Sequence, residues 1–195
     1  MISEIPFYKA SQLSIKPGER LDISRGYYGE GSSVVSEGDN RVKEIIEGTL
    51  TELSDETTEK VGSYAFYKYT DLQEVTLPNV TTIGEYVFSG CVKLETVNFG
   101  DKLVELGNNA FYQDTLLSNV VLPEGLISIG GSCFHNCWSL TNISLPDSIT
   151  TIGGYAFVGA TQISVPKLPA NLITVGEVAF YNLQKVTFTH IPAGV

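Results

Sequence analysis

Apolar positions along most of this chain recur with a long, fixed period. Phe66, Phe88, Phe111, Phe134, Phe157 and Phe180 are separated once by 22 residues and then four times by 23. Counted from each phenylalanine, position +6 is Leu72, Leu94, Leu117, Leu140 and Ile163. Position +9 is Val75, Val97, Val120, Ile143 and Pro166, and position +11 is Leu77, Phe99, Leu122, Leu145 and Leu168. Alternation at +9 and +11 predicts a short strand whose apolar residues point inward. Pro78, Pro123, Pro146 and Pro169 follow it and end it, because proline has no N–H for the ladder. A unit this short cannot bury its apolar face alone, so the copies must stack into a solenoid with one parallel strand per turn.

The rest of each period predicts the return path. Ile83, Leu106, Ile129, Ile152 and Val175 each precede a glycine, which implies either close packing between coils or a positive φ angle. Ala65, Ala110, Ala156 and Ala179 stand just before their phenylalanines and leave them room. The phenylalanines are expected to stack into a continuous spine, each burying on the order of 150 to 250 Å². Two departures stand out. Val165-Pro166 should weaken the fifth strand, and Leu183, Val186 and Phe188 follow the last phenylalanine three residues early. The chain then reads as the beginning of another coil. Phe188, Ile191 and Val195 are therefore the candidate docking end, for a partner or a second copy.

Residues 1–40 do not share the period. Leu13 and Ile15, then Leu21 and Ile23, alternate around Pro17-Gly18 and predict two paired strands, with the glycine-rich run Gly26 to Gly31 as a reversal carrying Tyr27 and Tyr28. Two strands are marginal alone, so this β-rich module is expected to serve attachment or oligomerisation. Residues 41–60 read as a divergent cap, with Ile45 to Leu53 as a half-turn, followed by an acidic loop from Ser54 to Lys60. The solenoid proper is expected over 61–195.

Charge narrows the partners. Twelve basic residues face 22 acidic ones, so nucleic acid is not expected as a partner. No apolar run approaches the roughly 18 to 20 residues of a membrane span, and Met1 to Lys9 carries no basic segment leading into an apolar core, so neither membrane insertion nor a secretory signal is expected. Cys91, Cys133 and Cys137 are too few for a disulfide framework. Cys133-Phe134-His135-Asn136-Cys137 has metal-binding side chains but lacks a fourth ligand at suitable spacing, and Cys91 and Cys137 share the small +3 site of the repeat. Asp55, Glu56 and Glu59 lack the spacing of a calcium loop, and no nucleophile–base arrangement or phosphate loop occurs. No catalytic residue, cofactor or metal site is expected.

The pattern I-G-x-x-A-F-x-x-C-x-x-L-x-x-V-x-L-P resembles the BspA-type bacterial leucine-rich repeat over residues 61–195. The resemblance implies a leucine-rich-repeat solenoid: right-handed, about six coils, a parallel β-sheet on its concave face, and no enzymatic activity. Such solenoids occur on bacterial surface antigens and adhesins and in phage-encoded structural proteins. The N-terminal stretch S-I-K-P-G-E-R-L-D-I-S-R-G-Y-Y is similar to leader modules of phage tail and virion proteins.

A recognition function follows from these readings. The expected partner is a protein or a surface glycan, with other virion proteins or a second copy as further partners. The expected setting is a virion surface as a phage structural or host-attachment component, the alternative being a bacterial cell-surface adhesin. The candidate binding face is the outward side of the strands: Glu74, Thr96, Asn119, Asn142 and Lys185 before the inward +9 residue, and Thr76, Asn98, Val121, Ser144, Lys167 and Thr187 after it. Short polar side chains there admit close approach of an extended partner. A second candidate is an aromatic row at position +1, Tyr67, Tyr112 and Tyr181, neighboured by Tyr64, Tyr86 and Tyr155 at −2.

Overall fold

The computed structural model describes residues 5–6, 20–22, 27–29 and 49–183, apart from 57, 165 and 166. Near the N-terminus, β1 (Ile5–Pro6), β2 (Arg20–Asp22) and β3 (Tyr27–Gly29) form an antiparallel sheet in the order β1-β3-β2. Leu21, expected in a strand, pairs with Tyr28. The tyrosines belong to a strand, where a reversal was expected: Tyr27 and Tyr28 have neighbours on both sides, in Asp22 and Leu21 of β2 and in Pro6 and Ile5 of β1. Leu13, Ile15 and Ile23 lie outside the described residues, as do Lys185, Thr187, Phe188, Ile191 and Val195.

The repeats form a parallel-strand solenoid. Its first sheet contains β4 (Glu52–Ser54), β6 (Glu74–Leu77), β8 (Thr96–Phe99), β10 (Asn119–Val121) and β12 (Asn142–Ile143). Leu53 pairs with Val75, Val75 with Val97, Val97 with Val120, and Val120 with Ile143, so the inward +9 residues are in register. The half-turn expected as a cap thus supplies this sheet's first strand. The acidic loop after it is tied down: Asp55 Oδ1 accepts the Thr58 N–H at 3.1 Å, and the Glu59 carbonyl accepts the Thr81 N–H at 2.7 Å.

A second parallel sheet runs through the return path. It consists of β5 (Lys60–Val61), β7 (Thr82–Ile83), β9 (Glu105–Leu106), β11 (Ser128–Ile129), β13 (Thr151–Ile152) and β14 (Thr174–Val175). Sequence periodicity misses it because each strand has only one outward and one inward residue before glycine stops it, which is too little for an alternation to register.

The third side, around the phenylalanine, is laddered as well, although it is not a strand. The N–H groups at −2, 0 and +2 donate to carbonyls at −3, −1 and +1 of the next coil: Tyr86 to Asn108, Phe88 to Ala110 and Gly90 to Tyr112, at 2.8 to 2.9 Å. The N–H between them at +1 turns back to the −2 carbonyl of its own coil, as Tyr112 does to Asn109, and the residues at −2 and +2 are left-handed. At −2 they are Tyr64, Tyr86, Asn109, Ser132, Tyr155 and Val178, with φ between 49° and 64°. Asparagine tolerates this conformation, whereas a β-branched residue is strained in it. Val178→Asn is therefore expected to stabilise the solenoid by about 1 kcal/mol, read as a higher urea midpoint; an unchanged or lower midpoint would refute the strain.

Inside, the spine forms as expected. Phe66, Phe88, Phe111, Phe134 and Phe157 are fully buried, and successive rings from Phe66 to Phe180 stack with centroids 5.3 to 5.7 Å apart. Of the two roles open for the Ile-Gly glycine, close packing is the one found. A Cβ on Gly130 would stand 2.5 Å from the Asn108 nitrogen and the Gly107 carbonyl carbon, inside any tolerated contact. In the fifth coil, Ser164 makes only an isolated bridge, and among the described residues the first sheet ends at β12 while the second continues to β14. Residues 165 and 166, where the weakening was expected, lie outside the described ones.

Candidate functional site

The outward face of the first sheet is built by strand alternation alone. Each strand buries its +9 residue and turns +8 and +10 away from the core. Parallel register aligns these into two rows, Glu52, Glu74, Thr96 and Asn119 at +8, and Ser54, Thr76, Asn98 and Val121 at +10, with the Asn142 backbone next in register after Asn119 and Ser144 just after β12. The structure therefore brings together the expected face from Glu74 to Ser144. Lys167 is exposed and held by Asp147, with Nζ–O distances of 2.9 and 3.0 Å. The Lys167 hydrogen bond, helped by the Ala170 amide, holds the Asp147 carboxyl below its ordinary range.

Charge along this face is uneven. Glu52 and Glu74 are exposed and directly paired across β4 and β6, so one end is acidic. The middle, from Thr96 to Ser144, is uncharged. There a depression of about 510 Å³ opens between β10 and the fifth coil, lined by Asn119, Val120, Val121, Leu122, Ile143, Ser144 and Ser164. Val121 is 58% exposed beside it, a large apolar side chain on an otherwise polar sheet.

The aromatic row does not form one platform. Tyr64 and Tyr86 stack face to face at 4.8 Å, and Tyr67 packs edge-on against both. The Lys68 ammonium lies 5.1 Å from the Tyr67 ring centre. Tyr112 instead stacks on His135, and Tyr181 is exposed at the other end of the row. Ser89, buried between Tyr67 and Tyr112 in the same row, interrupts it.

All three cysteines are buried free thiols. Cys91 Sγ donates to the Phe66 carbonyl at 3.2 Å and Cys137 Sγ to the Phe111 carbonyl at 3.1 Å. Burial pushes every one of these thiols above its usual range, which opposes the thiolate that metal binding or nucleophilic attack requires. Among the described residues no group of three or more His, Cys, Asp or Glu side chains is placed to hold a metal.

Two features escape sequence reasoning. Trp138 at +4 is 57% exposed, and Leu116 and Val92, at +5 and +4 of preceding coils, are exposed as well. The available signal was its place one residue after the buried +3 site, where the repeat dictates nothing apolar. Asp114 occupies +3 itself and is fully buried. Its signal was a charged residue in a row otherwise made of Tyr69, Cys91, Cys137, Ala160 and Leu183.

Comparison with known proteins agrees with this architecture. A leucine-rich repeat protein of T. pallidum is 30% identical with a TM-score of 0.63; the match covers 70% of this chain and 66% of that one. A leucine rich cell surface protein of Faecalibacterium prausnitzii is also 30% identical, with a TM-score of 0.54, covering 72% of this chain and 36% of that one. A leucine-rich repeat protein of Bacteroides ovatus shares the fold at 24% identity and a TM-score of 0.52, covering 71% of this chain and 42% of that one. The chain thus spans less than two thirds of each of these proteins. No protein of curated function matches it. The BspA type leucine rich repeat region matches residues 49–164 in six copies. With strands in the same register, a phenylalanine spine and repeats over more than half its length, the chain belongs to the BspA-type leucine-rich repeat family.

Proposed function

We propose that the chain is a non-enzymatic recognition protein and that the outward face of its first sheet binds an extended protein segment or a surface glycan. The observation that carries this reading is the uncharged stretch around Asn119, Val121 and Ser144, where a depression interrupts a regular polar sheet and exposes an apolar side chain. Concave or flat solenoid faces suit such partners because side chains in register repeat their contacts from coil to coil. A depression with an apolar floor and a few hydrogen-bonding groups orients a ligand without requiring it to be charged.

The test uses the full chain carrying Val121→Arg together with Ser144→Arg. Both positions face away from the core, so the circular dichroism spectrum and melting temperature should stay as in the parent. Binding to intact bacterial cells and to a glycan panel should fall at least about tenfold, the loss expected when a charge is forced into an interface centre. Undiminished binding with the fold retained would place the interface elsewhere.

The setting of this recognition is display on a particle or a cell. A phage structural or host-attachment role is supported by the small N-terminal antiparallel sheet, which lies outside the repeats and has too few strands to be stable without packing on something else. A cell-surface role is supported by the likeness to the Faecalibacterium prausnitzii cell surface protein. Antibody labelling in electron micrographs separates them: signal on purified phage particles supports the first, and signal confined to the bacterial envelope supports the second.

A further inference from the structure

We propose that Asp114 carries its proton in the folded solenoid and donates it to the Phe88 carbonyl, making the contact between the second and third coils a pH-sensitive seam. The +3 row provides the geometry. Cys91 and Cys137 each reach back to the carbonyl of the phenylalanine one coil earlier, 25 and 26 residues away, and each is the donor. The shared register sets Asp114 one coil beyond Phe88, whose carbonyl already accepts the Cys91 N–H at 2.9 Å. A position that faces a carbonyl oxygen requires a donor. A carboxylate has none to give; a carboxylic acid does.

The surroundings agree. Asp114 has no solvent exposure, and neither of its side-chain oxygens meets a donor. The nearby amides of Cys91 and Gly90, which favour the charged form, already give their hydrogens to the Phe88 and Tyr112 carbonyls. The titratable groups acting on this site are the thiols of Cys91, Cys133 and Cys137, with Tyr69 beyond Cys91, and burial keeps all four in their neutral forms. None supplies a positive charge. Burial therefore raises the Asp114 carboxyl well above its ordinary range. His135, one coil on, shifts the other way, with burial lowering it, and it is not among the groups acting on Asp114.

The linkage has a definite sign. An acid that holds its proton more tightly folded than unfolded contributes its full stabilisation below the ordinary carboxylate range. That contribution is lost as pH rises toward the folded value. The seam is therefore tightest in acid and loosens on neutralisation. Asn at 114 keeps a donor without titrating, and Cys restores the residue of the neighbouring coils.

The full-length chain, Asp114→Asn and Asp114→Cys are compared by urea unfolding from mildly acidic to mildly alkaline pH. The parent midpoint should fall relative to both variants as pH rises, and infrared spectra of the parent at neutral pH should hold a protonated-carboxyl stretch missing from Asp114→Asn. Parallel midpoint curves, or no such band in the parent, would overturn the proposal. If one variant does not fold, the other and the infrared band still decide.

Discussion

Gly130→Ala is expected to destabilise the solenoid by about 3 kcal/mol, at the upper end of what overpacking costs. The added methyl would sit 2.5 Å from the Gly107 carbonyl carbon and 2.6 Å from its oxygen, so the obstacle is backbone and cannot swing aside. Relief requires separating the coil of Phe134 from that of Phe111, which stretches all three ladders together. Gly131→Ala is the internal control. Its nearest neighbour would be the Gly154 carbonyl oxygen at 3.4 Å, an ordinary contact, so its effect should stay within about 0.5 kcal/mol. Urea denaturation of the two variants checks the pair, and similar losses for both would show that loss of glycine itself, not the approach of the coils, is responsible.

Phe134→Ala should cost about 4 kcal/mol, the sum of lost burial and an unfilled cavity. Phe134 is fully buried and stacks on Phe111 at 5.3 Å and on Phe157 at 5.5 Å. Neither neighbour can close the gap, because each is fixed by its own coil's hydrogen bonds. Phe180→Ala should cost clearly less, since Phe180 is only partly buried and stacks on Phe157 from the far side of the spine. Equal losses at the two positions would contradict a core built from mutually supporting layers.

These two residues also show how far sequence carries. Phe134 was legible because a solenoid repeats each packing contact, so a single side-chain role appears six times in one chain. Gly130 was half legible: its recurrence revealed a constraint, and only the structure distinguished close approach from backbone conformation. The second sheet was hidden by brevity, since Ser128–Ile129 offers one inward residue and no alternation. The left-handed positions were hidden for a different reason. Tyr64, Asn109 and Ser132 share a backbone conformation in which each N–H donates to the next coil, and their side chains do not advertise it.

The candidate face was readable from +8 to +10 because alternation fixes which side chains leave the core. Its depression was not, because it opens where, among the described residues, the first sheet ends at β12. Trp138 and Asp114 went unread because each is a single deviation from a pattern, and a pattern makes its own members visible first. The division of the tyrosine row was not readable either: rings at −2 and +1 in adjacent coils are close enough to pack on each other at Tyr64, Tyr67 and Tyr86.

Because the coils of Phe66 to Phe134 are joined by the same three ladders, one whole unit inserted among them in register would meet the same partners above and below. Each such unit lengthens the spine by about 5 Å, the separation of stacked strands. Tandem duplication of a gene segment is therefore a conservative change for this architecture, extending the display surface without redesigning its interior. Selection on reach and selection on affinity can then act separately, the first on the number of coils and the second on the few outward side chains that the stacking leaves free.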